Sequence, residues 1–192
     1  MAYYDPELTG EAVIQNLINL DMELAVFALN NDIHLEKKVK MVIAGSSSLI
    51  MNGINLPKTQ DIDVLRISHV IDDDLLEKYK MNCRISAYEN SLPYNYEDRL
   101  VEYPLETQIV YFWAISIEDA VAGKIYAWRD KDKDHIYSTE VLNKIDWLKL
   151  RVCIEELRLS VLNDKDYEWI KHRFNIYARG TNHEEFIFKD IF

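Results

Sequence analysis

Between Val39 and Ile67 the apolar residues change their period twice, and that change narrows the folds open to this chain more than any other feature. VKMVIA (Val39–Ala44) is a short, nearly continuous apolar run of the kind carried by a buried strand. It leads into GSSS, and the following LIMNG fits one or two helical turns stopping at Gly53, a residue suited to a helix C-terminus. LPKTQ reads as a loop. DIDVLRI then alternates polar and apolar residues, so Asp61 and Asp63 fall on one strand face and Ile62 and Val64 on the other. Strand, short helix and strand require a sheet with a helix packed against it, because neither element can bury its apolar side alone.

The flanking segments extend this picture. Across Gly10–Asn30 the residues Val13, Leu17, Leu20, Leu24, Phe27 and Leu29 recur near helical spacing and predict an amphipathic opening helix. Asp72–Lys80 reads as a helix, and Arg84–Tyr88 and Gln108–Ile115 as strands separated by a polar, Tyr-rich loop around LPYNYEDRL. The character changes at Ser116. SIED offers Ser116 as an N-cap with Asp119 three residues on, and Val121, Ile125 and Trp128 supply a buried stripe. RDKDKDH is expected to interrupt that helix, a second helix following it, and the remainder, including WLKLRVCIEELRLSVL, is helical by period. Trp113, Trp128, Trp147 and Trp169 are assigned to the core.

The expected fold is therefore α+β: a small mixed sheet flanked by helices, followed by a helical C-terminal part. The division falls between 1–115 and 116–192, with one continuous domain sharing a core as the alternative.

Composition bounds the function classes. With 48% hydrophobic and 29% charged residues, few Gly and few Pro, the chain is neither disordered nor fibrous. No apolar run approaches the roughly 20 residues that cross a bilayer, and MAYYDPELTGEAVIQ lacks the pattern of a secretory signal, so the expectation is a cytoplasmic protein with no membrane partner. Cys83 and Cys153 have neither metal-ligand nor redox-pair spacing and are expected to stay reduced. His34, His69, His172 and His183 are scattered and read as surface or structural residues. The net charge of −11 disfavours a broad nucleic-acid footprint. Lys124–Arg158 is close to balanced, with eight Lys or Arg against seven Asp or Glu. A polynucleotide would have to dock there or on Lys37, Lys38 and Lys40.

Chemistry concentrates around the first strand and its successor. Free N–H groups at a helix start beside small side chains make a phosphate cradle, which places Gly45, Ser46 and Ser47 as candidates. The plainer reading is a turn with an N-cap. Fifteen residues beyond Ser46, Asp61 and Asp63 project from one strand face, close enough to share a hard cation such as Mg²⁺. Taken alone the pair reads first as a solvated acidic edge. Cradle and paired carboxylates together form the arrangement that in-line phosphoryl-type transfer needs.

At this point the chain resembles a family. AGSSSLIMNG followed by KTQDIDV is similar to the first two motifs of the nucleotidyltransferase superfamily, and most of all to the compact bacterial proteins related to abortive-infection (AbiEii-type) toxins of toxin–antitoxin systems. Those proteins carry a Gly-Gly/Ser-Ser element, then Arg/Lys-Thr-x-Asp-Ile-Asp. On a later helix they carry roughly K-L-x-A-x-R-x-K-D-x-x-D-I. KIYAWRDKDKDHI offers Lys124, Ala127, Arg129, Lys131 and Asp132 at matching spacing, and His135 stands where the family has a second Asp. The loop Glu97-Asp98-Arg99-Leu100 also looks like a family feature.

The resemblance implies a metal-dependent enzyme that moves an NMP group from an NTP to an acceptor hydroxyl. Asp61 and Asp63 would hold Mg²⁺, Gly45, Ser46 and Ser47 the phosphates, Lys124 and Arg129 the triphosphate charge. Asp132 would bind a second metal, orient Lys124 or act as a base. Against this stand a solvated helix face for Lys124 and Arg129, and helix capping or mere solvation for Asp130, Asp132 and Asp134. Arg99 reads as an ion pair with Glu97 or Asp98, or as a substrate clamp. The acceptor implied is a tRNA end, a protein side chain or a small molecule, and an antitoxin partner is implied by the toxin relationship. A third metal carboxylate is not evident, since Glu102 and Glu106 sit in no motif. Either Asp132 supplies it, or the metal site is minimal, or the fold persists without catalysis as a nucleotide-sensing or partner-binding module.

Overall fold

A computed structural model describes residues 7–66, 71–83 and 91–183. The chain divides into two compact units, Met1–Ser86 with Leu100–Ser116, and Ala87–Arg99 with Ile117–Phe192.

The first unit is a mixed five-stranded sheet with helices. Its elements are α1 (Gly10–Asn30), β1 (Val39–Ile43), α2 (Gly45–Met51), β2 (Ile62–Arg66), α3 (Asp73–Lys78), β3 (Met81–Asn82), β4 (Val101–Glu102) and β5 (Val110–Ala114). The strand order is β3-β2-β1-β5-β4. β1 runs parallel to β5 and antiparallel to β2, β3 is parallel to β2, and β4 is antiparallel to β5. This is the α+β architecture the periodicity predicts. The expected strand Arg84–Tyr88 lies outside the described residues.

Alternation decides which side of the sheet is core. Met41, Ile43, Ile62, Val64, Val110, Phe112 and Ala114 bury one face, joined by Val13, Leu17 and Leu20 of α1. Each of these side chains larger than alanine, fully removed from water, contributes about 1.5–3 kcal/mol. Thr9 caps α1 by accepting from the Ala12 amide at 3.2 Å. The inward row continues through Leu24 to Ala28, so Phe27 and Leu29, expected on the buried stripe, are 57% and 81% exposed. Successive residues turn 100° on a helix, and Ala28 takes the inward place between them.

By length and composition α1 could cross a membrane, contrary to the expectation that no run is long enough. Asp21 nevertheless ties this helix to the sheet. That carboxylate is 4% exposed and accepts from the amides of Gln108, Ile109 and Val110 at 2.7, 2.7 and 2.8 Å. It thereby satisfies the start of β5 from the middle of α1.

α2 begins at Gly45, within the GSSS turn, and ends as its sequence predicts. Gly53 has φ +76° and donates to Ile50, while Ile54 donates to Leu49, the Schellman pattern that closes a helix on a glycine.

The second unit is helical: a 3₁₀ turn (Tyr96–Arg99), then α4 (Ile117–Ala127), α5 (Asp130–Ile136), α6 (Thr139–Lys144), α7 (Trp147–Ser160) and α8 (Asp164–Gly180). Ala120, Val121, Ala122 and Ile125 of α4 are buried with Leu150, Cys153, Ile154 and Leu157 of α7 and Tyr167, Ile170, Phe174 and Tyr177 of α8. Two expectations change here. RDKDKDH does not precede the next helix but forms it, Arg129 serving as its N-cap residue. The tryptophans are not core either: Trp169 is 53% exposed and Trp113, Trp128 and Trp147 are only half-buried.

Arg99 ties the 3₁₀ turn to the helices. Its guanidinium donates to Asp119 and Glu156, each at 2.7 Å, rather than to the neighbouring Glu97 or Asp98. Asp119, expected to support the start of α4, is fully buried in that ion pair. Burial pushes the adjacent Cys153 thiol well up, so it is a neutral core group.

Candidate active site

The turn from β1 into α2 brings a glycine and two aspartates together. Gly45 has φ +61°, a conformation open to glycine at little cost. Its position is closed to larger residues for a second reason. A Cβ built there would lie 2.2 Å from Asp63 Oδ2, so the carboxylate of β2 leans over the first residue of α2. The strands are held in that relation by the Ala44 amide, which donates to the Asp63 carbonyl at 2.8 Å.

The motif's small hydroxyl residues fix the backbone of the aspartate strand. Ser47 Oγ and Thr59 Oγ1 both donate to the Asp61 carbonyl, each at 3.1 Å. Ser48 Oγ donates to the Gly45 carbonyl at 2.8 Å. Ser47 is 1% exposed, so its hydroxyl serves this internal bond, whereas Ser46 is half-buried. Thr59 is further pinned by a two-way backbone bridge to Leu8.

Asp61 and Asp63 are half-buried on the face opposite buried Ile62 and Val64, and they converge on one group. Asn82 Nδ2 approaches Asp61 Oδ2 at 3.3 Å and Asp63 Oδ1 at 3.5 Å. Asn82 stands beside Asp63 in the parallel β2–β3 register. A single NH₂ lies within reach of both carboxylates, so the two face one small region. Two carboxylates completed by substrate phosphates suit Mg²⁺, so the residues present fit that ion.

A third carboxylate does not join them among the described residues. Among the described residues no group of three or more His, Cys, Asp or Glu could hold a metal ion. Glu102 pairs with Trp113 on β4, three strands from β2, which is about 14 Å at the usual strand spacing. On β5 the positions facing the Asp63 side are Tyr111 and Trp113.

In the helical unit, Lys124, Arg129 and Asp132 form a second cluster. α4 ends at Trp128, whose φ of +55° is unusual for a bulky side chain. That left-handed residue turns the chain, and α5 then carries Asp132 back to Lys124. Lys124 Nζ donates to Asp132 Oδ1 at 3.2 Å, and Arg129 Nε donates to Asp132 Oδ2 at 2.6 Å. Lys124 is 4% exposed and Asp132 fully buried, whereas the Arg129 side chain is 57% exposed.

His135 completes the cluster, with Nδ1 3.2 Å from Lys124 Nζ. Burial, and then the Lys124 charge, push its pKa down to about 4, so the ring is neutral near pH 7 and Nδ1 accepts from the ammonium. Burial likewise lowers Lys124, with the Asp132 charge and hydrogen bond opposing. Burial raises Asp132, but hydrogen bonding from Arg129 and the Lys124 charge outweigh it and the net shift is downward. A carboxylate with a lowered pKa and both oxygens engaged is a poor base. Asp132 is arranged to hold Lys124.

Asn82 is absent from the sequence reading, and His135 appears there only as a departure from the motif. Nothing local marks Asn82, which acquires its place only when β3 pairs with β2. His135 was visible as the position that departs from the motif, but its Lys124 partner was not.

No curated protein and no solved structure matches the chain. A family model described as nucleotidyltransferase of unknown function (DUF6036) matches residues 15–181, which include both clusters. The chain belongs to that family of nucleotidyltransferases.

Proposed function

We propose that the protein is a Mg²⁺-dependent nucleotidyltransferase that moves an NMP group from an NTP to an acceptor hydroxyl. The observation that carries this reading is the convergence of Asp61 and Asp63 beside a helix start whose first residue can only be glycine. Asp61 and Asp63 would hold the ion, which when bound neutralises charge on the phosphates. The α2 start at Gly45 and Ser46 offers backbone N–H groups to phosphate oxygens, with Ser47 bracing the aspartate strand. The acceptor oxygen bonds to the α-phosphorus as the bond to the bridging oxygen breaks, pyrophosphate leaving and the acceptor proton passing to water. Within the helical unit, Asp132 and His135 keep the Lys124 ammonium in place, and Arg129 carries a forked donor of the kind suited to phosphate oxygens.

The chemistry leaves the acceptor open among an RNA end, a protein side chain and a small molecule. The toxin role, with an antitoxin partner in a bacterial cytoplasm, rests on the motif resemblance; a small antitoxin gene beside this one would support it.

That no third carboxylate joins the pair among the described residues favours a second reading, a nucleotide-binding module without turnover. Pyrophosphate release separates the two. Each NTP is incubated with protein, Mg²⁺ and candidate acceptors: release that disappears in Asp61→Asn/Asp63→Asn supports transfer, and nucleotide binding with no release supports the module.

A further inference from the structure

The face of the sheet that carries Asp63 also carries two aromatic–lysine pairs on neighbouring strands. Lys40 Nζ lies 4.5 Å from the centroid of the Trp113 ring, and Lys38 Nζ lies 4.7 Å from that of Tyr111. β1 and β5 run parallel in the register Lys40↔Tyr111 and Val42↔Trp113, so ring and ammonium alternate along one track. Lys40 is exposed, Tyr111 is 44% exposed and Trp113 half-buried. The opposite faces of both strands are core.

Each of these partly exposed rings is accompanied by a cation on a chain of net charge −11. Acidic groups flank the track on both sides, Glu102 of β4 next to Trp113 and the Asp61–Asp63 pair on β2. A polyanion would therefore follow β1 and β5 and avoid both borders. A ligand that offers a flat ring and an anionic group in each repeat matches this pattern. Single-stranded nucleic acid does so, its bases stacking on aromatic side chains while its phosphates meet lysines. An acidic peptide would use the lysines alone and make no use of the ring surface that stays exposed at Tyr111.

The geometry points to a docking track for single-stranded nucleic acid formed by Lys38, Lys40, Tyr111 and Trp113. The track leads toward the aspartates. Trp113 stands two strands and about two residues from Asp63, or about 12 Å by sheet spacings. The identity of the bound strand as the acceptor rests on the nucleotidyl-transfer reading; the binding itself does not.

The test is fluorescence anisotropy of short labelled oligouridylate and oligothymidylate over a salt series, with a matched duplex beside them. Trp113→Ala should weaken single-strand binding about tenfold or more, and Trp113→Phe, which keeps a ring, should bind nearly as the wild type does. Lys40→Ala should lower the slope of log affinity against log salt by about 0.7. This exposed position keeps the question decidable if Trp113→Ala does not fold. Asp61→Asn/Asp63→Asn should bind equally or more tightly. A tighter RNA arm would name RNA as the natural strand, and a tighter DNA arm DNA. The proposal is overturned if the wild type binds neither strand, if duplex binds equally well, or if Trp113→Ala and Lys40→Ala behave as wild type. Failure of the nucleotidyl-transfer reading would appear separately, as no Mg²⁺-dependent response to any NTP while oligonucleotides still bind.

Discussion

Asp63 Oδ2 lies 2.2 Å from the point where a side chain on residue 45 would begin, so glycine at 45 and the aspartate at 63 are one structural unit. Gly45→Ala should therefore do two things at once. The left-handed φ alone costs about 1–2 kcal/mol for a residue with a Cβ, and the clash adds to it. Urea denaturation should show a loss beyond 2 kcal/mol on that scale. Any nucleotide-dependent stabilisation should vanish, since Asp63 must move.

Asp21 predicts a large effect from a residue remote from any chemistry. It alone accepts three backbone amides at the entry to β5. Asp21→Ala removes the acceptor of three amides, that of Val110 buried, and should cost about 3 kcal/mol or more, with Asp21→Asn intermediate. The urea midpoints of the two variants check this order. Equal midpoints for wild type and Asp21→Ala would contradict it.

Arg99 makes the same argument for a charge. Arg99→Ala strands the fully buried Asp119 carboxylate and should destabilise by about 3–5 kcal/mol. Adding Asp119→Asn should recover part of the loss, a coupling that a double-mutant cycle measures directly.

What the sequence made legible follows from how local each signal was. The α1 span, β1 and the split of Asp61 and Asp63 from Ile62 and Val64 depend on periodicity within a few residues, and all appear in the structure. Gly53 ended α2 as glycine chemistry requires. The partners of Arg99 lie 20 and 57 residues away, and those of Asp21 87 to 89 away, so no local pattern could show them. Trp128 shows another kind of limit. It continues the apolar stripe of α4, but a left-handed φ ends the helix there and starts α5 inside a charge run that reads as a break. On the site itself, residue types and spacing picked out Asp61 and Asp63 after the GSSS turn, whereas Lys124, Arg129 and Asp132 came from the motif resemblance. The Ser47 hydroxyl bond to Asp61 and the place of Asn82 required the fold.

His135 gives a pH signature. Its folded pKa near 4 is below the ordinary 6.5, so between those values the unfolded chain binds more protons than the folded one. Stability should then fall as pH drops from about 6.5 to 4. Asp132, whose pKa is lowered, adds its own loss only as pH falls below the usual carboxylate value. His135→Asn should flatten the upper window and leave the lower one intact. Urea midpoints at several pH values separate the two; an unchanged slope in His135→Asn would place the acid sensitivity elsewhere.

The most direct test of the central claim is a thermal-shift titration with each NTP, with and without Mg²⁺, on wild type and on Asp61→Asn/Asp63→Asn. A nucleotide at about a hundred times its dissociation constant should stabilise the fold by roughly 2.7 kcal/mol. The account predicts a shift for at least one NTP that needs Mg²⁺ and is absent from the variant, whose own fold stays intact. A shift that persists in the variant, or no shift with any NTP, would contradict Asp61 and Asp63 as the metal-holding pair of a nucleotidyltransferase.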